Sequence, residues 1–469
     1  MVPGPVVGPL SNYRVELSPV AFVDRLVPAV KILKNRPDPP HAARVPDARK
    51  GGFGPDESLV DPNRLAAMLE DTDATYETQC GSWAIFKLCK HLISLTGDAQ
   101  YGDWIEQAAY NGLAATPPIP TAGNVFYYSN YNPYGASKRD GGAAWSCCAG
   151  TRPMALADVC DLIYFSAPDG LCVNLFVPST VTVGSGSSAL SIRQETRFPE
   201  APSTSFEFHC GRPVKQTIRF RRPGWLAGQV SARLDGAPAP LTVDSHGWLV
   251  LRHTWRDGDR IDLTLPMGFR SAPLYADKPY PTAVTIGPVT MAFRSDRGNP
   301  VSKIGLTSLG SELVPSQGEP LTYHLQSAPD ILARPFYAYK EGEEYYMYLD
   351  PSALGRISHY HMRTNGPWHD SGNHYYCNVP GAWCEGDFEG DAVTLLGFKY
   401  DDGGRGEVQV DGRVVGTIDE YASGRDIPAE WTYRGLGTGK HVIRVTVTNA
   451  KAPESKDVYI NIAGLRLKG

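Results

Sequence analysis

A chain of 469 residues with 42% apolar and 20% charged residues has the length and composition for a large folded core and two to four domains, which excludes a disordered chain. Its formal net charge of −5, with no basic stripe, argues against a nucleic-acid partner, and no run of 18 apolar residues supports a membrane span. With 48 Gly, 39 Pro, 24 Tyr and 9 Trp, the composition points to many turns and much β-structure.

In chain order, residues 1–56 are rich in Pro, Gly and Arg, with one helical segment near Pro19 to Leu33, where Phe22, Leu26, Val27 and Val30 fall at helical spacing. No charged region followed by an apolar one opens the chain, so no signal peptide is read and the cytoplasm is the default compartment. Gly51-Gly52-Phe53-Gly54 suits tight turns, and Glu57 follows as a loop carboxylate.

Residues 63–113 read as helical. Trp83, Ile85, Phe86, Leu88, Cys89, Leu92, Ile93 and Leu95 surround one segment on most sides, so that helix is expected to be buried, with Cys89 and His91 as core residues. Glu77 and Cys80 are placed at its start, three apart on one face. Residues 114–144 form a long loop with the tyrosine cluster Tyr127, Tyr128, Tyr131 and Tyr134, and loops of that length inside compact domains are usually functional. A last helix is expected from about Pro153 to Tyr164.

Trp145-Ser146-Cys147-Cys148-Ala149-Gly150-Thr151 lies between that loop and that helix. Neighbouring cysteines on an extended chain do not bond to each other easily, so Cys147 and Cys148 are either two small buried residues or two thiolates aimed at one partner. With Cys80 and Glu77 upstream, the second alternative offers three sulfurs and one oxygen, the donor types and number of a four-coordinate zinc set. The odd count of 9 Cys does not resemble a disulfide framework, although Cys377 and Cys384 are a pair that could bridge in an oxidising compartment.

From Leu171 the apolar period changes from helical to two. Strands are expected at Leu171 to Val177, Gln216 to Phe220, Gly247 to Leu251 and Arg260 to Leu265, and again at Val393 to Gly397, Gly406 to Gly412 and His441 to Val447. His359 and His361 could pair on one strand face as metal ligands, a pattern that is more often structural.

The order Gly-Gly-x-Gly…Glu, then Tyr-Glu-Thr-x-Cys, an aromatic loop, Cys-Cys and a β-region resembles the β-L-arabinofuranosidase family of glycoside hydrolases, the DUF1680 or glycoside hydrolase family 127 proteins. The resemblance implies an (α/α)6 barrel followed by β-sandwich domains: a helical catalytic region over 1–165, a β-sandwich over 166–345 and a galactose-binding-like β-sandwich over 355–469. It implies a retaining hydrolase in which Cys147 is the nucleophile, Glu57 the acid/base, and Glu77, Cys80, Cys147 and Cys148 bind Zn2+, with Tyr127 and Tyr128 on the sugar. A carbohydrate is then the expected partner, with homodimerisation left open.

Two departures stand in the sequence. Gln79 intervenes where the family reads Glu-Thr-Cys, so either the helix start is reshaped or one ligand differs. About four helices are visible where a complete barrel has twelve. An inactive zinc-stabilised carbohydrate-binding protein, and a hydrolase or lyase of the same fold acting on uronic-acid glycans, are the two other readings.

Overall fold

The computed structural model describes residues 8–9, 14–17, 66, 69, 76–77, 79–116, 126–140, 146–296, 298–371 and 373–467 and, of 8–9, 14–17, 76–77, 79, 126–128, 139–140 and 146, the backbone. The expected helix near 19–33, the glycine turn at 51–54 and Glu57 lie outside the described residues.

Within the described residues the protein is a mixed fold with many strands and few helices. Helix α1 spans Gln79–Thr96, α2 spans Tyr101–Gln107 and continues as a π-helical turn over Ala108–Leu113, and α3 spans Ser146–Ile163. Helix α3 begins well before the expected Pro153, which sits inside it. The Cys147-Cys148 pair therefore lies in its first turn. Lys87, His91 and Leu95 leave one side of α1 in solvent, Leu95 at 74% exposure, so the expected all-round burial of this helix, and of His91 with it, does not occur. Cys89 is buried as expected, and burial pushes its thiol up to about 12.

Helix α3 runs directly into strand Tyr164–Ala167, and this junction sets the layering. One six-stranded sheet contains Tyr164–Ala167, Gly170–Val173, Val214–Arg221 and Trp248–Trp255. A seven-stranded sheet contains Ser179–Val183, Leu190–Thr196, Ser203–Cys210 and Arg260–Thr264. The alternation read from the sequence is met, with Phe206 and Phe208 of one strand and Ile192 of its neighbour pointing inward. Where Val214–Arg221 pairs in parallel with Gly170–Val173, a Cβ on Gly170 would stand 1.8 Å from the Thr217 carbonyl oxygen, so only glycine fits there.

The apolar faces of the three helices enter the same core as these two sheets. Phe86 and Ile93 of α1, Ile105 of α2 and Val159 and Leu162 of α3 form one cluster with Phe165, Ile218 and Phe220. The helical region is thus stabilised by burial against β-structure as well as by helix–helix packing.

A further six-stranded sheet runs from Phe269–Pro273 to Ala328–Pro335, including the hairpin Thr282–Ile286 and Val289–Arg294 turned at Gly287-Pro288. The C-terminal part has two sheets that share a second core. Val393 and Leu395 of Ala392–Lys399 and Ile460 and Ile462 of Ile460–Leu467 face Val408, Ile443 and Val445 of the other sheet. Cys377 and Cys384 sit in this core as free thiols and are not bridged. His359 and His361 lie on a 3-10 turn, not on a strand face. The first bonds Asp370 at 3.1 Å and the second Glu344 at 3.1 Å, so they share no ligand position. No described helix is long and apolar enough to cross a membrane.

Candidate functional site

The site is built where two helices begin. Cys80 is the second residue of α1, and Cys147 and Cys148 are the second and third of α3. Cross-contacts at Cys80–Cys148, Lys87–Asp158 and Lys90–Asp161 advance together along both helices, so α1 and α3 run parallel and present their N-termini at one point. Side-by-side helix dipoles of the same sense repel, and negative charge at the shared positive end offsets this. The paired helix ends therefore favour a thiolate at this corner, against the burial that opposes it.

The three sulfurs form a single cluster. Their ligand atoms lie within 4.8 Å of one another, and Cys80 Sγ and Cys148 Sγ are 3.8 Å apart. Two sulfurs bound at ~2.3 Å on a tetrahedral ion are separated by roughly 3.8 Å, so this pair fits zinc coordination without rearrangement. Burial and the neighbouring Cys80 sulfur push the Cys147 thiol up from its ordinary value. A bound cation reverses that preference, because a coordinating thiol is deprotonated outright. The cluster can hold a metal.

The three cysteines differ in exposure. Cys148 is fully buried and Cys80 half-buried, whereas Cys147 is exposed. One sulfur therefore faces solvent while the other two are held in the protein.

Glu77 lies on strand Tyr76–Glu77, just before α1, and not on the helix, so the expected sharing of a helix face with Cys80 does not apply. The helix starts at Gln79, the residue that lengthens the motif. Glu77 pairs in register with Tyr128 of strand Phe126–Ser129, which in turn pairs with Lys138–Asp140. The tyrosine-rich segment thus contains two strands, and its backbone brings Tyr127 and Tyr128 beside the Glu77 position. Glu57 lies outside the described residues.

Thr151 was quoted in the cysteine motif but given no role by the sequence. Its Oγ1 is 3.2 Å from Cys80 Sγ, and its side chain is buried. The missing signal was the helix boundary. Once α3 starts at Ser146, Thr151 falls three residues after Cys148 and on the same face. A hydroxyl donating to a ligand sulfur orients it and stabilises its charge. Thr151→Val is expected to weaken metal affinity by about 10-fold, read by competition with a chromophoric chelator. Unchanged affinity would make the contact incidental.

Two family descriptions match the sequence. Residues 50–159 match the β-L-arabinofuranosidase GH127 catalytic domain, and residues 170–267 match the GH127 middle domain. No curated protein matches at the sequence level. Among solved structures, a GH127 β-arabinofuranosidase is similar at 19% identity with a TM-score of 0.48, covering 60% of this chain and 50% of that one. A GH127 β-L-arabinofuranosidase from Geobacillus stearothermophilus T6 is similar at 15% identity with a TM-score of 0.43, covering 89% of this chain and 53% of that one. The chain spans about half the length of these structures. Catalytic-domain and middle-domain segments of the GH127 β-L-arabinofuranosidase family are thus both matched, in that order along the chain.

Proposed function

We propose that the protein is a retaining glycoside hydrolase releasing a terminal β-L-arabinofuranoside-like sugar, with Cys147 as nucleophile and Glu57 as acid/base on an (α/α)-barrel-type catalytic region that precedes β-sandwich domains. The observation that carries this reading is the division within the sulfur cluster, in which Cys147 is the most exposed of the three cysteines. Cys80, Cys147 and Cys148 would hold zinc, with Glu77 as the fourth ligand. Bound there, zinc would keep these sulfurs ionised at neutral pH.

In the first step, Cys147 Sγ forms a bond to the anomeric carbon as the glycosidic C–O bond breaks. Glu57 gives its proton to the departing oxygen. In the second step, Glu57 takes a proton from water, the water oxygen attacks the anomeric carbon, and the C–S bond breaks. The thiolate returns, and two inversions give net retention. A retaining pair of this kind works at a separation of about 5 Å. Tyr127 and Tyr128, on the strand paired with Glu77, are assigned to the sugar.

A panel of p-nitrophenyl glycosides tests this reading. Hydrolysis of the β-L-arabinofuranoside is expected, with retained configuration in the first product seen by NMR. Glu57→Gln should be much less impaired on the p-nitrophenyl substrate than on a natural glycoside, because a good leaving group needs little protonation. Azide should partly rescue it by replacing activated water. Equal losses on both substrates, with no rescue, would remove Glu57 from the acid/base role.

A further inference from the structure

The chain carries a second concave site, which shares no residue with the cysteine cluster, where the segment after strand Phe126–Ser129 meets the outer face of a C-terminal sheet. It is a cleft of about 250 Å³. One wall is Asn132, Tyr134 and Gly135, and the opposite wall is Leu396, Phe398 and Pro428. Its floor includes Arg356 and Ser358. The first wall is rigid. Asn130 Oδ1 accepts the Asn132 N–H, Asn132 Oδ1 accepts the Tyr134 N–H, and Asn299 Nδ2 donates to the Pro133 carbonyl. Gly135, at φ +135°, lets this wall approach closely, since a Cβ there would meet Glu344 at 2.8 Å.

The charges in the cleft are unequal. Arg466 is bound in a fork to Glu430, at 2.7 and 2.5 Å, and this pair satisfies itself. Arg356 is half-buried and lies over the Tyr134 ring at 3.9 Å. Among the described residues no carboxylate or carbonyl takes its N–H donors. With the Glu430 carboxylate taken up by Arg466, the Arg356 guanidinium keeps an edge open towards the cleft. A guanidinium fixed by stacking presents its planar edge ready for a carboxylate and loses little entropy on binding one.

The geometry points to this cleft as a binding site for a carboxylated sugar, a uronic acid residue, with Arg356 taking the carboxylate. Phe398, Leu396 and Pro428 offer the apolar surface that the C–H face of a sugar ring covers. Asn373 and Ser358 supply hydroxyl partners at its edge. A single negative charge matches the cleft, whereas a phosphate dianion would meet Glu430 with its second charge. The volume suits one ring. The inference stands apart from the reaction proposed above, because none of its residues belongs to the cysteine site.

Calorimetric titration of the full chain with D-galacturonate and D-glucuronate tests it, with D-galactose, D-glucose, acetate and inorganic phosphate as comparisons. One uronate is expected to bind at least 10-fold more tightly than its neutral counterpart, acetate and phosphate. Arg356→Met should lose at least that factor. Leu396→Trp, which adds bulk on the cleft's apolar wall, should do the same should Arg356→Met fold poorly. Cys147→Ala should bind uronate as the parent does, so failure of the hydrolase reading leaves this result intact. Equal binding of neutral and acidic sugars, acetate or phosphate binding as tightly as the uronate, no uronate binding, or full binding by the folded variants would each overturn the assignment.

Discussion

Cys147→Ala is expected to abolish turnover on p-nitrophenyl and natural β-L-arabinofuranosides alike, by roughly 10⁴-fold or more. A nucleophile is needed whatever the leaving group, so activated substrates give no escape. The geometry separates this effect from loss of the metal. Half-buried Cys80 and buried Cys148 lie 3.8 Å apart, and they remain when Cys147 is removed. The variant should therefore keep its fold and part of its metal affinity. Cys148→Ser should lose the metal and the activity together. Rates on both substrates, metal content and intact mass of the parent during turnover check the distinction. The parent should accumulate a glycosyl adduct on Cys147 with a fast-leaving substrate, and Cys147→Ala should not. Substantial turnover by Cys147→Ala would reduce this cysteine to a metal ligand.

The largest effect on stability is expected at Arg221, far from any candidate catalytic group. Arg221 is fully buried on strand Val214–Arg221 and reaches α2, where it pairs with Asp103 and with Glu106 at 2.5 Å. Its Nε donates to the Asn174 carbonyl at 2.6 Å, and Trp225 Nε1 donates to Glu106 at 2.6 Å. Gly102 makes room for this arrangement, since a Cβ there would stand 2.3 Å from Arg221 Cδ. Glu106 is 1% exposed, and burial pushes its carboxyl up against the pull of Arg221. Arg221→Met leaves a buried carboxylate without its cation, a change that costs ~3–5 kcal/mol. Adding Glu106→Gln and Asp103→Asn should recover much of the loss, because apolar or neutral replacement of a whole buried network is far cheaper than breaking it. Urea unfolding of the three variants measures this. A loss under ~1 kcal/mol for Arg221→Met would contradict the account, because removing one partner of a buried pair should cost several times that.

The β-region was legible because period-two alternation is a local signal that packing preserves. The strands expected at 216–220, 393–397 and 441–447 lie inside Val214–Arg221, Ala392–Lys399 and Lys440–Lys451. Helix ends were less legible. Pro153 reads locally as a helix start, yet α3 begins at Ser146, and that shift turned an apparent loop motif into a helix N-terminus. Cys80, Cys147 and Cys148, grouped from the sequence by their shared chemistry, lie within 4.8 Å of one another. It could not show which sulfur faces outward, because exposure depends on the packing of α1 against α3. Nor could it show Arg221 spanning from a strand to α2, a contact between residues 118 apart. Arg356 was silent for the same reason, since its meaning comes from a Tyr134 ring contributed by a distant segment.

Zinc K-edge X-ray absorption on the purified full chain, with metal content determined in the same sample, tests the central claim most directly. The account predicts about one zinc per chain, with about three sulfur ligands at ~2.3 Å and one oxygen ligand at ~2.0–2.2 Å. A metal-free protein with freely reacting thiols, or zinc bound only through nitrogen and oxygen, would contradict it.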